Sequence, residues 1–367
     1  MKMFEKDNYD MEWELLGIIL AGMLALTFYT FRIPLLFPVP NQSKNNRESR
    51  FDVLRGFAMI GIVMIHIHSY FQFFHPGDSF IIHNTLMLSN LARFSVPMFI
   101  LTSAIFLKIK EGYWVSKFKH LILPYTIFSI LGYWIKYNHY SLNEFLTFYA
   151  LGKVFTPFYF VPLLLQFYLL FYILNPIMKG ENWRNIILIV SFLINVISNL
   201  GFFDTYLPSE YHSISIFNYI FFFVLGIFIG KTKQSKSEIN HNSKFIISVY
   251  FVLSLILILI FSHLFGTDLK NHHTIYPVLF LLCIWQYLND FNGSISKVLS
   301  FIGNQSLFIF LLHPFIIHFM HSIDPYSFGG PFFGYILTLL LNVGVPILIS
   351  LIIQKGKFLY QSHHLTE

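Results

Sequence analysis

The sequence predicts an all-α fold, a polytopic bundle of transmembrane helices with no soluble domain. Three observations lead there. Of 367 residues, 55% are hydrophobic and 11% charged, with a mean hydropathy of +0.61, whereas a soluble domain carries about 25% charged residues. The apolar residues form continuous runs near the ~20 residues a helix needs to cross a bilayer, without the period-two alternation of a membrane barrel. The basic residues divide unequally between alternate loops, as they do in oriented membrane helices.

The first run, 15–36, follows an acidic flank of Glu5, Asp7, Asp10, Glu12 and Glu14. A signal peptide starts basic and ends at small residues, and Arg32-Ile33-Pro34 supplies neither. The run reads as a retained helix joined to the rest by the polar linker Pro40–Ser49. Residues 1–49 are thus an extra N-terminal helix and linker, 50–353 the core, and 354–367 a short cytoplasmic tail. Core runs lie near 53–74, 86–107, 120–136, 157–178, 185–203, 216–230, 244–263, 272–288, 304–320 and 331–353. With the first, they make about 11 spans. The run at 216–230 is short and that at 120–136 only marginally apolar.

One set of alternate loops, from Arg32 to Lys357, holds 18 of the 24 Lys and Arg residues. The opposite set holds Lys2, Lys6, Lys136, Lys153 and Lys270, and Arg93 falls inside a span. This division places the N-terminus outside and the C-terminus in the cytoplasm. Because the charges sit in short loops, the net charge of +6 marks topology and contact with anionic lipids, not nucleic-acid binding. The single cysteine, Cys283, excludes an intrachain disulfide and reads as a small buried hydrophobe. His263, His272 and His273 have no acidic or Cys partner at ligand spacing, so no metal is expected.

All 18 acidic residues lie in loops or at span ends, which removes the paired carboxylates of a cation-coupled carrier. Ionisable groups at membrane depth are costly and therefore mark function. Here they are His66, His68, Arg93, His313 and His318. Arg55 and His66 are 11 residues apart, three helical turns plus roughly 20°, so they share one face about 16 Å apart along the axis. A cation at the mouth and an imidazole deeper on the same stripe suit an anionic donor reaching in with its reactive end. The same residues also fit a snorkelling anchor and a histidine bonded to a neighbouring helix. His68, two residues on, points away from the stripe toward another helix contact. His313-Pro314 fits either a site or a Pro-kinked helix with a bonded imidazole. Asp52 is placed for a local ion pair with Arg55, and Gly56 allows close approach of a helix or ligand.

The run Phe51-Asp52-Val53-Leu54-Arg55-Gly56 followed by His66 resembles the opening of the acyltransferase-3 family of polytopic membrane acyltransferases. Further segments are similar in order: Arg93 to Ser103, Phe158 to Leu163 with Leu174-Asn175-Pro176, Phe222 to Gly226 with Gly230-Lys231, and Asn304 to Leu307 with Leu311-Leu312-His313-Pro314. The likeness covers roughly 50–353. It implies an enzyme of a bacterial-type cytoplasmic membrane, moving an acyl group, usually acetyl, from cytoplasmic acyl-CoA to a hydroxyl of an envelope polysaccharide or lipid-linked sugar. It also implies that Arg55 and His66 are the pair required for activity. The family's second basic pair would fall on Lys117 and His120, where a histidine departs from the pattern, and Ala104 replaces a common glycine.

On this reading His66 is the general base on the acceptor hydroxyl, or the carrier of an acyl-histidine. Arg55, with Lys117, Lys119 and His120, holds the CoA phosphates, and Arg93 or His313 stabilises the thioester oxyanion. No permanently bound cofactor is expected, acyl-CoA being the donor substrate. The acceptor is expected near the outer loops 75–85, 137–156 and 204–215. Three other readings compete: a glycan or lipid exporter, an N-acetyltransferase of the heparan-glucosaminide type, and a scaffold for a polysaccharide synthase.

Overall fold

A computed structural model describes residues 44–137, 140–231, 241–269, 273–287 and 293–364. The run at 15–36 lies outside these residues. The described residues are mostly helical, with no strand among them. The protein is built around α1 (Lys44–Phe74), a 31-residue helix that ends where His75-Pro76-Gly77 breaks it. Asp78 caps α2 (Ser79–Leu91) by accepting the Ile81 N–H at 3.1 Å. α3 (Ser95–Ile105) continues the same span after a three-residue turn. Pro97 explains that turn, since it has no N–H to close on the carbonyl of residue 93. Arg93 therefore sits at a break inside a span.

α4 (Tyr113–Lys117), a wider π-type turn at Phe118–Ile122 and α5 (Leu123–Lys136) form one continuous rod. Pro124 removes the ordinary donor there, and the Leu123 N–H reaches back five residues to Phe118. α6 (Leu142–Leu151) starts at Ser141 and stops at Gly152, whose φ of 65° lies in the left-handed region. The other helices are α7 (Phe160–Ile177), α8 (Glu181–Asn199), α9 (Ile220–Lys231), α10 (His241–Phe265), α11 (Ile275–Tyr287), α12 (Ser294–Asn304), α13 (Ser306–Met320) and α14 (Pro331–His364).

α1 packs against α2, α3, α12, α13 and α14, and so forms the axis of the bundle. Its tightest neighbour is α12. A Cβ on Gly56 would collide with the Leu299 carbonyl, and one on Gly303 with the Asp52 carbonyl. Only glycines permit this crossing, which lies beside Arg55. α12 and α13 are bent by 75° at a short break, making either a broken span or a re-entrant pair. α9 packs on α3 and α8 with nine of its 12 residues buried.

Among the described residues, five stretches are long and apolar enough to cross a membrane, six if the bent pair counts as one span. That is fewer than the ten core runs of the sequence. The run at 216–230 yields only the 12-residue α9, behind short 3-10 turns, and 272–288 yields the 13-residue α11. Both are walled in by other helices, so their hydropathy reflects burial in protein as much as in lipid. The 120–136 run begins earlier, within the rod starting at Tyr113.

Candidate functional site

His66 lies on α1, eight residues before its end, half-buried and facing a chamber of about 240 Å³. The chamber is also lined by His68, Ser69 and Gln72 from α1, by Arg93 at the α2–α3 break, and by Tyr159, Phe160 and Phe310. The His313 ring packs beside His66, with centroids 5.5 Å apart. His313 is fully buried, and its Nδ1–H donates to the Ile309 carbonyl at 2.8 Å. A carbonyl can only accept, so this bond fixes the tautomer and leaves a lone pair on Nε2. That Nε2 is buried without a hydrogen-bond partner among the described residues. His313 thus offers an acceptor to the site, not a donor.

Arg93 is anchored by Asp268, whose Oδ1 accepts from Nη2 at 2.7 Å. The guanidinium side is 7% exposed and the carboxylate side 62%. Asp268 is held in turn by the loop around it. Asn90, 1% exposed on α2, donates to the Ser262 hydroxyl and the Thr267 carbonyl, each at 2.9 Å. Its side-chain carbonyl accepts the Leu269 N–H at 3.0 Å. One buried amide therefore locks the loop that carries the counterion of Arg93.

His68 bonds another helix, as its position on α1 suggests. Thr85 gives its proton to the Ile81 carbonyl, so at 2.9 Å it accepts from His68 Nδ1–H. His68 nevertheless also lines the chamber, which helical periodicity alone does not reveal. The His318 ring packs against Phe155, with centroids 6.0 Å apart. A second cavity of about 770 Å³ lies beside the first, and the two share Arg93, Thr156, Tyr159 and Asp268 as lining.

The other group of predicted site residues sits around Arg55, three turns back along α1. Arg55 pairs with Asp52 at 3.3 Å and keeps 32% of its side chain exposed. The Lys117 ammonium lies 4.0 Å from the Tyr168 ring centroid and 5.4 Å from that of Tyr113. Burial, and then the Arg55 guanidinium, push Lys117 below its usual range. Burial pushes the Tyr113 phenol up to about 12. Lys119 and His120 stand exposed on the π-type turn. The structure thus gathers His66, Arg93 and His313 at one place and Arg55 with Lys117 at another, and leaves Lys119 and His120 on the surface. Sequence reading missed Asp268 and Asn90. No local motif announces them, because Asp268 lies far along the chain from Arg93 and the partners of Asn90 lie in that same distant segment.

Among the described residues no group of His, Cys, Asp or Glu could hold a metal ion. Residues 48–351 match the family model described as an acyltransferase domain, of the acyltransferase-3 type. A "Probable poly-beta-1,6-N-acetyl-D-glucosamine export protein" of Staphylococcus aureus is 23% identical over 331 residues, covering 82% of this chain and 91% of the relative. Its counterpart in Staphylococcus epidermidis is 24% identical over 328 residues, covering 82% and 90%. No solved structure matches the chain significantly.

Proposed function

Since the chain belongs to the acyltransferase-3 family, we propose that it moves an acetyl group from cytoplasmic acyl-CoA to a hydroxyl of an envelope polysaccharide. The observation that carries this reading is the pairing along α1 of a cationic cluster, Arg55 with Lys117, and an imidazole chamber about 16 Å deeper. The relatives named for a hexosamine polymer support a polysaccharide as acceptor. The bias of Lys and Arg puts Arg55 at the cytoplasmic mouth, where the CoA phosphates meet it and Lys117.

In the chamber a neutral His66 takes the proton of the acceptor hydroxyl as its oxygen attacks the thioester carbonyl. Arg93, a donor in every protonation state, bonds the tetrahedral oxyanion. The C–S bond then breaks and the thiolate leaves with the proton, giving the O-acyl sugar and free CoA. The lone pair on His313 Nε2 suits an acceptor that orients the His66 ring or relays its proton. A covalent acyl-histidine at His66 is the other route, and label retained on the protein in a single turnover without acceptor distinguishes it.

Export of the glycan is the second reading, favoured by the relatives' printed name. Inside-out vesicles with native glycan and radiolabelled acetyl-CoA separate the two. Transfer predicts label in the glycan with the wild type and none with His66→Ala. Export predicts glycan movement without label, in both proteins.

A further inference from the structure

The wider cavity holds chemistry that the transfer step does not use. Besides the shared Arg93, its walls come from three segments distant in sequence: Phe148 to Tyr159, Asp204 to Tyr219, and the 268–269 loop. Two of them fall in the loops that the sequence marks as outward. At about 770 Å³ it lies within the ~300–1,000 Å³ of pockets that bury small ligands or ligand segments.

We propose that this cavity is a saccharide subsite that selects an uncharged sugar segment and presents its hydroxyl to the chamber. The lining mixes aromatic rings, Tyr159, Tyr219 and Phe148, with two carboxylates, Asp204 and Asp268. Rings cover the apolar faces of a sugar, and carboxylates accept pairs of its hydroxyl protons. Each carboxylate already faces a basic group. Asp268 takes Arg93 at 2.7 Å, and Asp204 lies 3.8 Å from His212 Nδ1. Yet they remain 62% and 34% exposed, so lone pairs are left for a ligand. Acid and base nearly balance, with Lys153 as the other cation, so neither a polyanion nor a polycation gains from the field.

The wall is also built in advance. Asn218 donates to the His212 carbonyl at 2.9 Å and accepts the Ser198 hydroxyl at 2.5 Å. Asn195 donates to the Asn218 carbonyl at 2.9 Å, and Gln166 to the Ile214 carbonyl at 2.9 Å. This scaffold fixes a segment of short 3-10 turns in place, which lowers the ordering cost of binding.

The inference rests on the acyl-transfer reading only for the direction in which the hydroxyl is presented; the binding itself is separable. The test is equilibrium binding of a radiolabelled β-1,6-linked N-acetylglucosamine pentasaccharide to the full chain in nanodiscs, without acyl-CoA. Competition uses its sulfated and its de-N-acetylated counterparts. The subsite predicts saturable binding that neither charged sugar displaces. It also predicts binding about tenfold weaker, near 1.4 kcal/mol, in Asp204→Leu and in Tyr159→Ala variants that melt like the wild type. No binding to the wild type, equal binding in both variants, or equal displacement by a charged sugar overturns it. If melting shifts in a variant, the competition series on the wild type alone decides. Binding without any acyl transfer keeps the subsite and removes the transferase reading, while transfer without binding does the reverse.

Discussion

Replacing Asn90 by leucine tests whether the 267–269 loop positions Arg93. The side chains are similar in size, so the change mainly removes hydrogen bonds. The Thr267 carbonyl and the Leu269 N–H lose their partner. A buried backbone group left unsatisfied costs about 1–3 kcal/mol, so a rigid loop loses about 2–6 kcal/mol. Asp268 beside them is 62% exposed, so the loop can relax toward water and the cost falls to about 2 kcal/mol. Relaxation withdraws Asp268 from Arg93 and loosens the oxyanion donor. At 1.36 kcal/mol per tenfold, kcat falls roughly 10- to 100-fold. The donor KM holds, because Arg55 and Lys117 lie at the other end of α1. The assay is steady-state acetyl transfer by reconstituted protein, with thermal melting alongside. Wild-type melting with wild-type kcat would show that Asn90 does not position Arg93. So would a changed donor KM at constant kcat, which places Asn90 outside the line to Arg93.

Three further outcomes are expected. Gly56→Leu drives a side chain into the Leu299 carbonyl and forces α12 away from α1, and overpacking of this kind costs about 1–3 kcal/mol, read as a lower melting temperature. Lys117 is held below its usual range by burial and by Arg55, so its cation, present at lower pH, is lost early as pH rises. The donor KM therefore climbs on the alkaline side, and Lys117→Arg, charged throughout, moves that climb to higher pH. Asp324 feels some burial that opposes ionisation, but the Tyr326 N–H and the His75 ring, bonded at 2.9 Å, hold its carboxyl below the usual range. A depressed acid stabilises the folded state above its unfolded value and loses that contribution as pH falls through the folded value. Thermal melting should fall on acidification in the wild type and less in Asp324→Asn.

Much of this protein is legible in its sequence because lipid leaves few alternatives. Continuous apolar runs in lipid must be helical, and the Arg55–His66 spacing places both on one face by helix geometry alone. Pairing of Asp52 with Arg55 and the close approach at Gly56 follow from local spacing and residue size. The span count is less legible. Hydropathy measures transfer out of water, and α9 and α11 leave water by burial among other helices as well as in lipid. The Asn90–Asp268–Arg93 chain was not legible, since Asn90 and Asp268 are 178 positions apart and only the tertiary fold joins them. The wider polar cavity is hidden for the same reason: its carboxylates look like ordinary loop acids until the fold turns them onto one space.

Acyl transfer at the His66 chamber is decided by purified protein in proteoliposomes, given acetyl-CoA on one face and an N-acetylglucosamine oligosaccharide on the other, with product mass as the readout. The wild type should yield an acetylated oligosaccharide, and His66→Ala none while still binding saccharide. Equal product from both proteins would place the chemistry elsewhere and rule out His66 as the site of transfer.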